Sequence, residues 1–151
     1  MDQVAAICYR SGINSTEYLL VRTGSGRWTF PKGEVEPGEE GWAAAEREAF
    51  EEAGAIGVTG HEPFTTYLHA KKEWEEEGRE VLVHAFLLEV EKTQAPVEPY
   101  RDPEWFSFKA VNDALAAGRL GKYAKELRRV MGEAEKRIAG RKRFSLDSLT
   151  P

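Results

Sequence analysis

The chain has 151 residues, 41% of them hydrophobic and 31% charged, the balance of one folded domain and not of a disordered segment. Its formal charge of −5 argues against broad electrostatic binding to DNA or RNA, while leaving room for a local basic pocket. The single cysteine, Cys8, cannot close an internal disulfide and sits in an apolar run, as a small buried hydrophobe does.

Residues 2–9 (DQVAAICY) and 17–23 (EYLLVRT) read as two strands joined by the turn-rich stretch 11–15, a hairpin near the N-terminus. A glycine-rich loop, 23–27, leads into the short extended segment Trp28-Thr29-Phe30-Pro31-Lys32-Gly33. Residues 41–53 (GWAAAEREAFEEA) are rich in Ala and Glu and are followed by Gly54, so the composition predicts a helix with a glycine C-cap. Residues 56–72 hold β-type runs broken by Gly60 and Pro63, and strands are expected at 64–72 and 79–91, on either side of the acidic stretch 73–78. The proline-rich segment 93–103 reads as an irregular loop, 104–108 as a strand, and 109–117 and 120–139 as helices. Strands on both sides of one helix, with more helix at the end, imply an α/β layered architecture. Residues 1–140 form one domain in this reading, and 141–151 a basic, then polar, tail that frays.

No apolar run approaches the ~20 residues that span a bilayer, and Met1-Asp2-Gln3 lacks the basic and apolar regions of a signal peptide. A cytoplasmic protein, monomeric or homodimeric and without a membrane partner, is the expectation.

The chemistry concentrates in residues 33–55. On a helical wheel of ~100° per residue, Trp42, Ala45, Ala49 and Ala53 fall on one side. Glu48, Glu51 and Glu52, spaced i, i+3 and i+4, share an adjacent side with Arg47 beside them. An acidic helix face is ordinarily just solvated. Here, however, the carboxylates are the hard oxygen ligands that Mg2+ prefers when it bridges protein to phosphate. The preceding loop carries Gly33, Pro37 and Gly38, which permit a tight turn toward the helix.

This segment resembles the Nudix signature: Gly, five residues, Glu, seven residues, Arg-Glu, an aliphatic, any residue, Glu-Glu, any residue, Gly, an aliphatic. The matching positions are Gly33, Glu39, Arg47, Glu48, Ala49, Glu51, Glu52, Gly54 and Ala55, with alanines where larger aliphatics are usual. The resemblance implies a Nudix-type α/β/α sandwich around a mixed β-sheet. It also implies a phosphoanhydride hydrolase in which a water attacks phosphorus. In that family pattern Glu48, Glu51, Glu52 and the Gly33 carbonyl are the metal ligands, for Mg2+ with Mn2+ also suited. Glu39 and Arg47 are orienting residues at the same catalytic site. The general base is left open between Glu48 or Glu52 and a glutamate outside the signature: Glu80, Glu98 or Glu104.

The run Trp28-x-Phe30-Pro31-Lys32-Gly33 looks like the diadenosine polyphosphate and diphosphoinositol polyphosphate branch of that family. Lys32 places a cation at the mouth of the metal site, which suits a substrate with many phosphates. Arg22, Arg27, Lys71 and Lys72 extend the candidate substrate site, and Tyr67 or Trp74 could stack on a base. His61, His69 and His84 are too scattered for a metal motif and read as structural. The expected activity is Mg2+-dependent hydrolysis of a dinucleoside polyphosphate such as diadenosine tetraphosphate. The enzyme alternatives are a diphosphoinositol polyphosphate hydrolase, a nucleoside triphosphate pyrophosphohydrolase and, least favoured by the acidic balance, removal of pyrophosphate from RNA 5′ ends. From another class, a non-catalytic nucleotide sensor is disfavoured because all four glutamates of the signature are present.

Overall fold

The computed structural model describes residues 3–70 and 79–149, with side chains as far as Arg141. The strands are β1 (Gln3–Ser11), β2 (Thr16–Arg22), β3 (Trp28–Thr29), β4 (Lys32–Glu34), β5 (Ala55–Thr59), β6 (Thr65–Ala70), β7 (Glu80–Thr93) and β8 (Glu104–Ser107). The helices are α1 (Gly41–Ala53), α2 (Phe108–Ala116) and α3 (Gly121–Leu149), with a 3-10 turn at Pro99–Arg101.

The sheet runs β3-β2-β1-β7-β5, with β4 also on β1, β6 on β7 and β8 on β2. β1 and β7 pair in parallel and the other pairs are antiparallel, so the sheet is mixed. Its two faces are both covered. Val4, Ala6, Cys8, Phe86 and Leu88 pack under Ala44, Ala45, Ala49 and Ala53 of α1. Ala5, Ile7, Tyr9, Tyr67, Val83, Ala85 and Leu87 pack under Val111 and Leu115 of α2 and Leu127, Val130, Met131 and Ala134 of α3. This is the expected α/β/α sandwich around a mixed sheet. It also explains why β1 reads as an unbroken apolar run: a strand with helices on both faces has no solvent side on which to alternate.

The α1 face of the core is built largely from alanines, which let the helix lie close to the sheet. Ala49 and Ala55 are 0% and 2% exposed, so the small residues of the signature leave no gap at the surface. Gly54 ends α1 in the left-handed region at φ 65°. Its amide donates back to the Phe50 carbonyl, and its own carbonyl accepts from Gln94 N at 2.9 Å. A Cβ there would collide with the Gln94 carbonyl, so conformation and close approach both call for glycine.

Helix α3 differs from the expected 120–139: it runs through Gly140 to Leu149. One glycine costs a helix only about 1 kcal/mol, Arg141, Lys142 and Arg143 that follow it are good helix formers, and no proline intervenes before Pro151. Arg141 further anchors this turn by donating to the Tyr9 hydroxyl at 3.2 Å. Residues 141–149 therefore extend a helix instead of fraying as a coil. Among the described residues no helix is long and apolar enough to cross a membrane.

Candidate active site

Arg47 organises the acidic face of α1. Its Nε donates to Glu39 Oε2 at 2.8 Å and its Nη2 to Glu39 Oε1 at 3.0 Å, a two-pronged pair, while Nη2 also reaches the Glu34 carbonyl at 3.0 Å. Nη1 donates to Glu48 Oε1 at 2.8 Å and lies 3.5 Å from Glu51 Oε2 and 3.8 Å from Glu36 Oε1. One guanidinium thus ties the loop before the helix to the helix carboxylates. These contacts hold Glu39 below the usual carboxylate range, chiefly through the hydrogen bond from Arg47, and push Arg47 above the ordinary arginine value.

Glu48 and Glu52 are both buried polar residues, which is expensive for carboxylates without a compensating cation. Burial raises both, and the two groups interact directly. For Glu52 burial is the largest cause, opposed by Arg101 and reinforced by Glu48, and the carboxyl is pushed up to about 8. Glu52 Oε1 accepts from the Lys32 amide at 3.4 Å, and Oε2 lies 3.6 Å from Arg101 Nη2. Cys8, beneath, is pushed up to about 12 by burial and then by Glu52, so it is no nucleophile.

The three glutamates do not all meet. Among the described residues no group of three or more His, Cys, Asp or Glu side chains is gathered so as to hold a metal ion. Glu48 and Glu52 adjoin, whereas Glu51 stands 39% exposed on Arg47. Glu51 and Glu48 both turn toward Arg47, while Glu52 lies near Arg101. The donor set nevertheless fits a hard divalent cation. A Cβ on Gly33 would run into the Glu48 carboxylate, so β4 supplies a backbone pressed against that group. The buried pair Glu48–Glu52 is the kind of oxygen-rich, under-neutralised site that Mg2+ suits.

Of the outside glutamates, Glu98 lies against this site. Its amide donates to the Glu51 carbonyl at 3.2 Å, and Arg101 Nη2 is 3.4 Å from its carboxylate and 3.6 Å from that of Glu52. Glu80 is engaged by Lys122 Nζ at 2.8 Å and by the Tyr123 hydroxyl at 3.3 Å. Glu104 is exposed on β8, opposite Leu20.

Lys32 is half-buried, and burial pulls its ammonium below the ordinary lysine value, partly offset by Glu52. Arg27 donates to the Gly118 carbonyl at 3.2 Å, which carries it to the connection between α2 and α3. Arg22 stacks on Trp28, its guanidinium carbon 3.9 Å from the ring centre. Tyr67 corrects the stacking expectation: it is 2% exposed, its ring edge-on to Phe30 at 6.1 Å, so no base can lie on it. The periodicity of β6 points it at the core instead of at solvent. Lys71, Lys72 and Trp74 lie outside the described residues. His61 stacks on Trp42 at 4.2 Å, in line with its structural reading.

Sequence reasoning missed three groups here. Arg101 sits in a proline-rich loop with no motif, and only its contacts with Glu52 and Glu98 mark it. Arg119 and His69 are distant in sequence from the signature, yet Arg119 acts on both Lys32 and His69, and Lys32 acts on His69.

The family described as NUDIX domain matches residues 1–127. The chain belongs to that family. Over 60 residues this NUDIX domain is 45% identical to "Diphosphoinositol polyphosphate phosphohydrolase 3-beta" of Bos taurus, a stretch covering 38% of this chain and 36% of that protein. Over 49 residues it is 45% identical to "Bis(5'-nucleosyl)-tetraphosphatase [asymmetrical]" of Caenorhabditis elegans, covering 31% and 36% respectively. The match thus spans little more than a third of the length of these curated relatives. In three dimensions the NUDIX fold superposes on a C. elegans Ap4A hydrolase binary complex with TM-score 0.66 and 21% identity, over 91% of this chain and 97% of that one.

Proposed function

We propose that this NUDIX protein is a Mg2+-dependent phosphoanhydride hydrolase whose substrate is a dinucleoside polyphosphate. The observation that carries the reading is the buried Glu48–Glu52 pair beside Gly33, whose carboxyls burial raises in spite of Arg47 and Arg101. The Gly33 carbonyl, Glu48, Glu51 and Glu52 would hold the metal, with Glu51 turning inward from Arg47. When bound, the metal lowers the pKa of a water and offsets phosphate charge.

The remaining chemistry belongs to the chain. Glu39 and Arg47 keep the glutamates oriented. Glu98, whose amide donates to the Glu51 carbonyl and whose carboxylate lies 3.4 Å from Arg101, would be the outside candidate for accepting a proton from water, beside Glu48 and Glu52 within the signature. Lys32 contributes a desolvated cation that attracts a multiply charged substrate. The resemblance to diphosphoinositol polyphosphate hydrolases over 60 residues keeps that substrate as the second reading.

A phosphate-release screen with Mg2+ tests both, across dinucleoside polyphosphates, nucleoside triphosphates, nucleotide sugars and diphosphoinositol phosphates. Preferential turnover of diadenosine tetraphosphate supports the first reading, and preferential turnover of a diphosphoinositol phosphate replaces it with the second. Absence of turnover throughout rejects hydrolysis and leaves the nucleotide-sensor alternative.

A further inference from the structure

Residues alternate sides along β4, and that alternation divides the neighbourhood of the signature in two. Gly33 abuts Glu48 on the α1 side. Lys32 pairs with Ala5, whose side chain belongs to the core on the α2/α3 side, so the lysine shares that side. Across the sheet at the same level come Ala85 and then Thr65 of β6. Two alanines between Lys32 and β6 leave the lysine free to extend toward that strand. Tyr67 and His69 lie two and four residues along β6 from Thr65, on the same face. Arg119 enters from the α2–α3 connection, its Nη1 on the Leu115 carbonyl at 2.7 Å, next to Gly118 where Arg27 docks.

The cations on this side are Lys32 and Arg119, with Arg27 close enough to act on Arg119 and His69. Glu52 is the largest charge acting on Lys32, whereas the groups acting on Arg119 are Arg27 and the Tyr67 hydroxyl. Burial pulls Arg119 down to about 10, and Arg27 pulls it the same way. His69 is driven to about 3, first by burial and then by Lys32, Arg119 and Arg27. Two guanidinium groups brought close, as Arg119 and Arg27 are, cost stability unless an anion joins them. A second, independent observation points to such an occupant. The Tyr67 hydroxyl is buried with no hydrogen-bond partner in a side chain only 2% exposed. So is Gln3 Oε1, in a residue 9% exposed that pairs with Val83, the neighbour of Tyr67.

We infer that Arg119, Lys32, His69 and the Tyr67 hydroxyl form a metal-free subsite for a phosphate group of the substrate, on the opposite side of β4 from the glutamates. This rests on the phosphoanhydride reading for its biological occupant, but the subsite itself needs no metal and no turnover. Arg119 is its principal specificity residue, because its planar guanidinium can take two phosphate oxygens at once. The hydroxyl of Tyr67, unable to stack, donates the remaining hydrogen bond.

The test is calorimetric titration of inorganic tripolyphosphate into the full chain in EDTA. Wild type is expected to bind. Arg119→Gln should weaken binding at least about 10-fold, the effect of losing a charge-assisted contact, and Arg119→Lys should recover part of it. Glu52→Gln should bind equally well or better, since it removes negative charge. Because Arg119 also caps α2, Tyr67→Phe provides a variant that keeps packing: it should weaken tripolyphosphate several-fold without lowering the melting temperature. Absence of binding by folded wild type overturns the subsite, as does unchanged affinity in Tyr67→Phe together with a folded Arg119→Gln. Failure of the phosphate-release screen would reject hydrolysis and leave this measurement standing.

Discussion

The two sides of β4 make opposite demands on the chain. On the α1 side, four carboxylates and one arginine lie within a single helix and its preceding loop, tied by Arg47 at 2.8 to 3.8 Å. On the α2/α3 side, Lys32, His69 and Arg119 come from three separate elements and meet only because the sheet and the helix connection bring them together. The negative side is local and therefore periodic; the positive side is assembled and leaves no pattern. The two sides still touch, because Glu52 is the largest charge acting on Lys32.

The sharpest way to break the comparison is at the negative side. Glu52→Gln keeps size and removes one charge, and turnover should fall by at least ~10²-fold at saturating Mg2+. Activity near wild type, measured by phosphate release, would remove Glu52 from the proposed ligand set.

At the positive side the expected effect depends on the substrate. Lys32→Ala should lower kcat/KM by about 10- to 100-fold for a four- or five-phosphate bridge, and by less for a nucleotide sugar. The lysine's burial makes the contact strong, because screening is weak there. Equal losses on diadenosine tetraphosphate and on a nucleotide sugar would mean that Lys32 does not read substrate charge.

Gly33 sits at the boundary, and Gly33→Ala sharpens its role. The added methyl group meets only the carboxylate end of the Glu48 side chain, which must swing aside, so the variant should lose no more than about 1 kcal/mol in urea denaturation. Adding Mg2+ should stabilise the variant less than it stabilises wild type, because Glu48 has been displaced. Equal stabilisation would place the metal elsewhere.

The last contrast is in pH. The Glu52 carboxyl, at about 8 in the metal-free fold against 4.5 as its ordinary value, is protonated in the native state when the unfolded chain has already ionised. Stability is therefore full below about 4.5 and falls as pH rises through about 8. His69 acts in the opposite sense, since its folded value of about 3 lies below its ordinary 6.5, so its contribution grows as pH rises between them. From 6.5 to about 8 the His69 contribution has levelled off and the Glu48–Glu52 pair, both raised by burial, sets the slope. Denaturation in EDTA should show stability declining across that range, and Mg2+ should flatten the decline by stabilising the ionised form. A rise in EDTA would contradict the burial of those carboxyls.

The α1 helix was legible from Gly41 to Ala53 because its alanines, its glutamates and Gly54 all repeat a local rule: helical spacing, then a residue that accepts φ 65°. The strands and the α/β layering followed from apolar runs and turn residues in the same way. The signature residues Gly33, Glu39, Arg47 and Glu48 were likewise within reach, since their partners lie fewer than twenty residues apart along the chain. Tyr67 shows the limit. Whether an aromatic in β6 faces a ligand or the core depends on which side of the sheet the helices cover, and that side is set by pairing with β7, not by any neighbour in sequence. Arg101 and Arg119 show it again, because their significance comes from Glu52 across a loop and from Lys32 across the sheet. The helix, the family and the carboxylate cluster around Arg47 were readable because their interactions are short-range along the chain. The grouping of Lys32, His69 and Arg119 was not, because burial and long-range proximity, which shift all three, are properties of the packed sheet and not of any segment in it.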